Sequence, residues 1–204
     1  MGMIKTIFLD FGNVIGFFSH RRASEALAKF TDMPVDELHE VLHGGDLLDQ
    51  YEHGHLTTAD YIRLTRLQGR IVCTDEQFLE GFVNIFWANP EVCNMIPRLR
   101  PRYRLVLASN TCDAHFAKFS EMFAETLSHL DELGASHTLR ARKPHRAFYE
   151  NAQALAQAEP EECLFLDDRE VNIEAANQFG WKTILYKPDG TLEAKLRAAG
   201  VEIR

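Results

Sequence analysis

Short apolar runs that stop at polar residues alternate along this chain with longer stretches of helical period. Ile4 to Leu9 is an apolar, β-branched run ending at Asp10 and a Phe11-Gly12-Asn13 turn, which predicts a buried strand with a carboxylate at its carboxyl tip. The arrangement recurs twice, Tyr103 to Ala108 leading into Ser109-Asn110-Thr111 and Glu162 to Leu166 into Asp167-Asp168. Thr183 to Tyr186 predicts a fourth strand, closed by Pro188. Between these runs the apolar period lengthens to about 3.6 residues, as in Phe148 to Leu155 and Val171 to Phe179, with Gly180 suited to end a helix. Strands alternating with helices predict a parallel α/β sheet whose ligand site lies at the carboxyl ends of its strands. The polar tips are then neighbours.

Residues from about 19 to 99 break the alternation. They carry helical patterns at Ser24 to Phe30, Val35 to Leu42, Thr58 to Leu67 and Phe78 to Trp87, with Asp32, Thr57 and Asn89 as start signals and Pro34 and Pro90 near first-turn positions. No convincing strand is found among them. The expectation is an α/β core made of residues 1–18 and 100–204, with an all-α helical cap, residues 19–99, inserted between the first two core strands. Phe78, Phe82 and Phe86, with Trp87, form a stripe at helical spacing that reads as core.

With 204 residues, 46% apolar and 25% charged, the chain has an ordinary globular composition and enough length for a sizeable core. Its net charge of −8 opposes bulk attraction to a nucleic-acid backbone, so no nucleic-acid partner is expected. A small phosphorylated ligand is compatible with it, because one lysine, a few backbone N–H groups and a metal can reverse the field locally. Four cysteines with no C-x-x-C pair, and apolar runs too short to span a bilayer, suggest a reduced, cytoplasmic protein without a membrane partner. Met1-Gly2 to Thr6 fits an N-myristoylation pattern, but the strand that follows makes a chance match the better reading.

Each polar tip has an ordinary structural role and a chemical one. Asp10 suits a turn or a nucleophilic or metal-binding carboxylate. Ser109-Asn110 suits a helix cap near Asp113 or an anion site. Lys143, before Pro144, suits a solvated surface or a phosphoryl contact. Asp167-Asp168 is the least ordinary, since adjacent carboxylates at a strand tip repel one another unless donors or a hard cation compensate.

Taken in order, strand-Asp10-Phe-Gly-Asn-Val-Ile, strand-Ser109-Asn110, Lys143-Pro144 and strand-Asp167-Asp168 resemble the four motifs of the haloacid dehalogenase superfamily. The likeness runs from residue 4 to about residue 186. The insert resembles the helical cap of one of its subfamilies, and Asp-x-Gly-Asn-Val-Ile is most similar to the branch with the bacterial α-D-glucose-1-phosphate phosphatase. The resemblance implies a Rossmann-like three-layer core under a helical cap and a Mg²⁺-dependent phosphatase acting on a small phosphorylated metabolite, with a sugar phosphate favoured by the branch. It also implies Asp10 as the nucleophile that becomes an aspartyl-phosphate. Mg²⁺ would be held by Asp10, the Gly12 carbonyl and Asp168, with Asp167 helping, and the phosphoryl oxygens by Ser109, the Asn110 N–H and Lys143. Ser136 resembles a small hydroxyl residue that often precedes the motif lysine, with a structural role.

One position departs from the pattern. Most phosphatases of the family carry a second Asp two residues after the nucleophile, as general acid and base, where this chain has Gly12; losing such catalysis is worth about 10²- to 10⁴-fold. Three routes stay open: a leaving group that needs little protonation, a proton from another group such as His20, His53 or His55, or a module that binds phospho-ligands or proteins without turnover. A dehalogenase is disfavoured, because Asp167-Asp168 argues for a metal and Gly12 stands where dehalogenases carry Tyr. Tyr149 would suit that chemistry only weakly.

Overall fold

Alternation inside three apolar runs builds the centre of the molecule. The structure, a computed structural model, describes residues 3–203, so the Met1-Gly2 start of the acylation pattern lies outside the described residues. Its strands are β1 (Thr6–Leu9), β2 (Gly16–Phe18), β3 (Phe86–Ala88), β4 (Arg104–Ser109), β5 (Glu132–Ala135), β6 (Cys163–Asp167) and β7 (Lys182–Leu185). Five of them form one parallel sheet in the order β5-β4-β1-β6-β7, with Leu9 level with Leu107 on one side and Leu166 on the other. The chain leaves β1 for β4 and β5 and later returns for β6 and β7. That reversal opens a crevice at the carboxyl ends, where Asp10, Ser109 and Asp167 sit.

The helices are α1 (His20–Leu27), α2 (Val35–His39), α3 (Asp46–Glu52), α4 (Thr58–Gln68), α5 (Asp75–Val83), α6 (Pro90–Leu99), α7 (Asp113–Met122), α8 (Ala124–Leu127), α9 (Ser136–Leu139), α10 (Arg146–Gln153), α11 (Glu170–Phe179) and α12 (Leu192–Ala198). Because successive strand residues point to opposite faces, Ile7, Leu9, Leu107 and Leu166 pack with α6, α7 and α12, whereas Phe8, Val106 and Phe165 pack with α10, α11 and Trp181. Phe8 stacks on Trp181 with ring centroids 4.1 Å apart. The result is a three-layer α/β core. Gly180 ends α11 at φ 115°, a left-handed value that glycine adopts without strain.

The helices from α1 to α5 enclose a separate apolar cluster that includes Leu27, Leu42, Tyr61, Phe78 and Phe82. Thr57 caps α4 through the Asp60 N–H, and Thr74 with Gln77 makes a reciprocal cap on α5. After α2 the backbone widens into a π-helical turn, Glu40–Gly44. No helix among the described residues is long and apolar enough to cross a membrane.

The structure redraws four details of the helical interval. α2 starts at Val35 behind Pro34 rather than at Asp32. α5 stops at Val83, and Phe86 and Trp87 belong to β3, which pairs antiparallel with β2. Phe86 meets Phe11 and Phe119 edge-on, at 5.6 and 5.8 Å, and that packing outweighs its helical spacing from Phe82. Finally α6, inside the 19–99 interval, packs in the sheet's own cluster. Asn89 precedes α6 but does not cap it; its Nδ2 donates to the Val14 carbonyl (2.6 Å) and to the Tyr186 hydroxyl (2.8 Å).

Candidate active site

Asp10 leaves β1 with its N–H bonded to the Leu166 carbonyl at 2.9 Å, which fixes its backbone to the neighbouring strand. Its Oδ1 accepts from the Phe11 N–H (2.8 Å) and lies 2.9 Å from Lys143 Nζ. No described group bonds its Oδ2. Lys143 is buried, 2% exposed, with Nζ also 2.6 Å from Asp167 Oδ2, so the solvated-surface role is ruled out. The Asn110 side chain clamps the lysine's backbone, donating to its carbonyl at 2.9 Å and accepting its N–H at 2.8 Å.

The two adjacent carboxylates take different places. Asp167 is fully buried, and both its oxygens are engaged: Oδ1 by the Arg169 N–H and Asn172, Oδ2 by Lys143 and Asn172. Asp168 is half-buried, with Oδ2 accepting from Asn13 at 3.0 Å. Donor atoms from Asp10, Asp167 and Asp168 lie within 4.8 Å of one another. Three carboxylates against one lysine leave an excess of negative charge where water is largely excluded. Burial pushes the Asp10 carboxyl up to about 7 despite Lys143, with Asp167 and Asp168 adding to the rise. Burial likewise raises Asp168. Lys143 shows the complement: burial alone would lower its pKa, and Asp10 and Asp167 outweigh that and raise it. The oxygen-only donor set and the charge excess fit a hard divalent cation such as Mg²⁺.

Ser109 is buried at the tip of β4, and neither it nor Asn110 caps α7, whose N-cap position is Cys112. The Asn110 N–H donates to no described group, unlike the next one, Thr111, which is held by the Ser136 hydroxyl at 2.9 Å. The single Ser136 O–H is within reach of the carbonyls of Glu52, at 2.7 Å, and Thr111, at 3.0 Å, a role in joining segments.

Above these tips the helical insert supplies a roof. A cavity of about 230 Å³ is lined by Asp10, Gly12, Ser109, Asn110, Lys143 and Asp168 from below and by Phe18, His20, His43, Phe86 and His115 from above. A Cβ at residue 12 would sit 2.8 Å from Phe18 Cε1, so the Phe18 ring fills the room a side chain there would need. His20 stacks on His43 with centroids 4.1 Å apart and rings 2° from parallel, and His115 stacks on Phe82 at 4.2 Å. Burial lowers all three imidazoles, to about 4 for His20, about 2 for His43 and about 3 for His115, with neighbouring histidines adding to each shift. These three imidazoles are therefore uncharged near neutrality.

The insert is tied down beside the lysine. Arg142 pairs with Asp49 and, at 2.6 Å, with Glu52 of α3, and Arg140 donates to the Gly54 carbonyl. Across the cavity, the Ala114 N–H donates to the Tyr51 hydroxyl at 3.0 Å, and the Thr58 hydroxyl to Asp113 at 3.0 Å.

Six of the seven site residues read from the sequence, Asp10, Gly12, Ser109, Asn110, Lys143 and Asp168, thus line one cavity; Asp167 lies beneath it, holding Lys143. Of the candidate proton carriers His20 joins them. His53 instead faces Asp49 at 3.3 Å, and the Tyr149 hydroxyl donates to the Asn172 carbonyl. Sequence reasoning missed His43, His115 and the Arg142 clamp. The spacing of His39 and His43, four apart beside Leu38 and Leu42, was the available signal for an inward-facing imidazole.

Residues 140–203 match the family model described as HAD-hydrolase-like. The chain is 27% identical over 198 residues to a D-ribitol-5-phosphate phosphatase of Bacteroides thetaiotaomicron, covering 92% of this chain and 93% of that protein. Among solved structures it is similar to a HAD family enzyme of the same organism in complex with magnesium and inorganic phosphate, with a TM-score of 0.81 and 22% identity over 91% of this chain and 96% of that one. A HAD-like family hydrolase of Porphyromonas gingivalis aligns with a TM-score of 0.82 at 22% identity, covering 97% and 98% of the two chains.

Proposed function

We propose that this chain is a hydrolase of the HAD-like superfamily, a Mg²⁺-dependent phosphatase of a small phosphorylated metabolite with an aspartyl-phosphate on Asp10 as intermediate. The observation that carries the reading is the buried Asp10–Lys143–Asp167 chain of contacts with Asp168 beside it, 2.9 and 2.6 Å from the lysine nitrogen to the first two carboxylates. A non-catalytic fold has no need to bury two carboxylates on one lysine with a third, half-buried, beside them, an arrangement that is expensive unless it serves chemistry. The phosphatase relative and the magnesium- and phosphate-bound neighbour support the same reading.

Asp10, Asp168 and the Gly12 carbonyl would hold the ion, which when bound neutralises carboxylate and phosphoryl charge together. Asp167, with both oxygens engaged, is a positioning residue for Lys143. Lys143 and the Phe11 N–H fix Asp10 Oδ1, leaving Oδ2 to attack phosphorus. The bond from phosphorus to the leaving oxygen breaks, and that oxygen departs with the electron pair and takes up a proton. Water then attacks the acyl-phosphate, releasing inorganic phosphate and restoring the carboxylate. Ser109, the Asn110 N–H and Lys143 meet the equatorial oxygens, where charge develops. The clamp between Asn110 and Lys143 keeps two of these donors in register. The α-D-glucose 1-phosphate branch and the polyol phosphate of the curated relative supply the first substrates to try, both uncharged beyond the phosphate.

The test is phosphate release from glucose 1-phosphate, glucose 6-phosphate, ribitol 5-phosphate and acetyl phosphate, with Mg²⁺ and with chelator, for the native chain and Asp10→Asn. The expected result is metal-dependent release that falls by about 10⁴-fold or more in the variant. Equal release from both proteins would overturn the role of Asp10. No release from any compound would favour a phospho-ligand-binding module.

A further inference from the structure

The two ends of the cavity differ in charge, and the difference bears on what is attached to the phosphate. The floor carries Lys143 and the carboxylates. The roof carries imidazoles on aromatic backing, and two arginines line the cavity lower down: Arg142, matched by Asp49 and Glu52, and Arg169, exposed beside Asp168 at the floor. A leaving group bearing a second phosphate or a carboxylate would meet no cation among the roof imidazoles and would have to compete with Asp49 and Glu52 for Arg142.

The imidazoles are arranged to present hydrogen-bonding edges. His20 is fixed in place by its stack on His43 and by Phe18, 4.9 Å away on another side. Its ring nitrogens bond no described group, and it lines the cavity. His43 projects from the π-helical turn, a local widening frequent at functional sites. Both its nitrogens are shielded from solvent without a well-formed hydrogen bond, a weak approach to the His20 backbone aside. His115 Nε2 lies 3.2 Å from the Phe82 carbonyl, which can only accept, so that nitrogen carries the proton and Nδ1 is left as an acceptor. A neutral imidazole offers one donor and one acceptor. The ligand group that answers both is a hydroxyl; carboxylates and phosphates accept only.

We propose that His20, backed by His43 and His115, is the specificity-determining residue of this cavity and selects a neutral, polyhydroxylated leaving group, a sugar or sugar alcohol, over one that carries a second anion. The proposal rests on the phosphatase reading above and deepens it.

Binding to a chain that does not turn over separates the two ideas. In the Asp10→Asn background with Mg²⁺ present, calorimetry is run with inorganic phosphate, a pentitol phosphate and phosphoglycolate. The pentitol phosphate binds at least tenfold more tightly than phosphoglycolate. His20→Phe, which keeps the stack and removes the hydrogen bonds, weakens the pentitol phosphate about tenfold and leaves inorganic phosphate within twofold. His20→Asn recovers most of the loss, which a merely structural role for the ring would not allow. Phosphoglycolate binding as tightly as the pentitol phosphate overturns the proposal, as does an equal loss of inorganic phosphate in His20→Phe. Absence of inorganic phosphate binding in both the native and the Asp10→Asn chains would instead count against the phosphatase reading.

Discussion

The floor and the roof of the cavity solve opposite problems with the same device, burial. At the strand tips burial concentrates charge: Asp10, Asp167 and Asp168 gather around Lys143, and each hydrogen bond of Asp167 is already assigned. In the helical insert burial removes charge, holding His20, His43 and His115 neutral and leaving some of their nitrogens uncommitted. Parallel strands set the floor with a register that side chains cannot shift. The roof depends on ring stacking between α1, the π-helical turn and α7, which tolerates exchange of one ring for another. A reaction that stays constant while its substrate varies calls for that division.

The sharpest way to break the contrast is Lys143→Met. It leaves Asp10 and Asp167 without their shared cation, so metal-free stability should fall by about 3–5 kcal/mol and phosphate release by about 10³-fold. Urea unfolding and initial rates check the two parts, and the histidine stack should persist unchanged.

A second contrast is in pH. The roof histidines have folded pKa values below the unfolded value of about 6.5, so the unfolded chain takes up protons first as pH falls. Their stabilising contribution is complete above about 6.5 and is lost on acidification toward 4, with a few kcal/mol lost between pH 6.5 and 5. Asp10 tilts the other way: its folded pKa is raised to about 7, so in metal-free protein its contribution is present in acid and is lost as pH rises from about 4 through 7. Thermal melts against pH should show the acid limb flattened by His43→Phe and the opposite limb removed by Mg²⁺. An acid limb unaffected by His43→Phe would place the effect elsewhere.

The mildest test joins the two regions. Gly12→Asp alone should not increase turnover, because its Cβ meets Phe18 Cε1 at 2.8 Å. With Phe18→Ala the new carboxyl has room, and release from alkyl phosphates with poor leaving groups should rise by about 10²-fold. A gain from the single substitution would show that Phe18 yields easily.

Much of the floor was legible in the sequence because strands with buried faces read as apolar runs and their tips as abrupt polar residues: four of the five sheet strands lie within a residue or two of their predicted bounds. β5 was missed, since Glu132-Leu-Gly-Ala135 is short, edge-placed and buried only in its second half. The ribbon of β2 and β3 was missed because Phe86 keeps helical spacing from Phe78 and Phe82 while its contacts lie across the cavity. The roof was the least legible part. A histidine beside leucines on a helix reads as a core or surface residue alike, and only the π-helical turn and the stack of rings from three elements bring His20, His43 and His115 over Asp10.

The antiparallel ribbon has a consequence of another kind. It sets Gly16 opposite Ala88, so the chain departs from the α/β core and comes back to it at points one strand spacing apart, about 5 Å. Whatever is threaded between them, of any length or shape, asks nothing new of the sheet. The roof is in this sense a graft: one lid could be exchanged for another through two adjacent seams while the strand tips beneath keep their places.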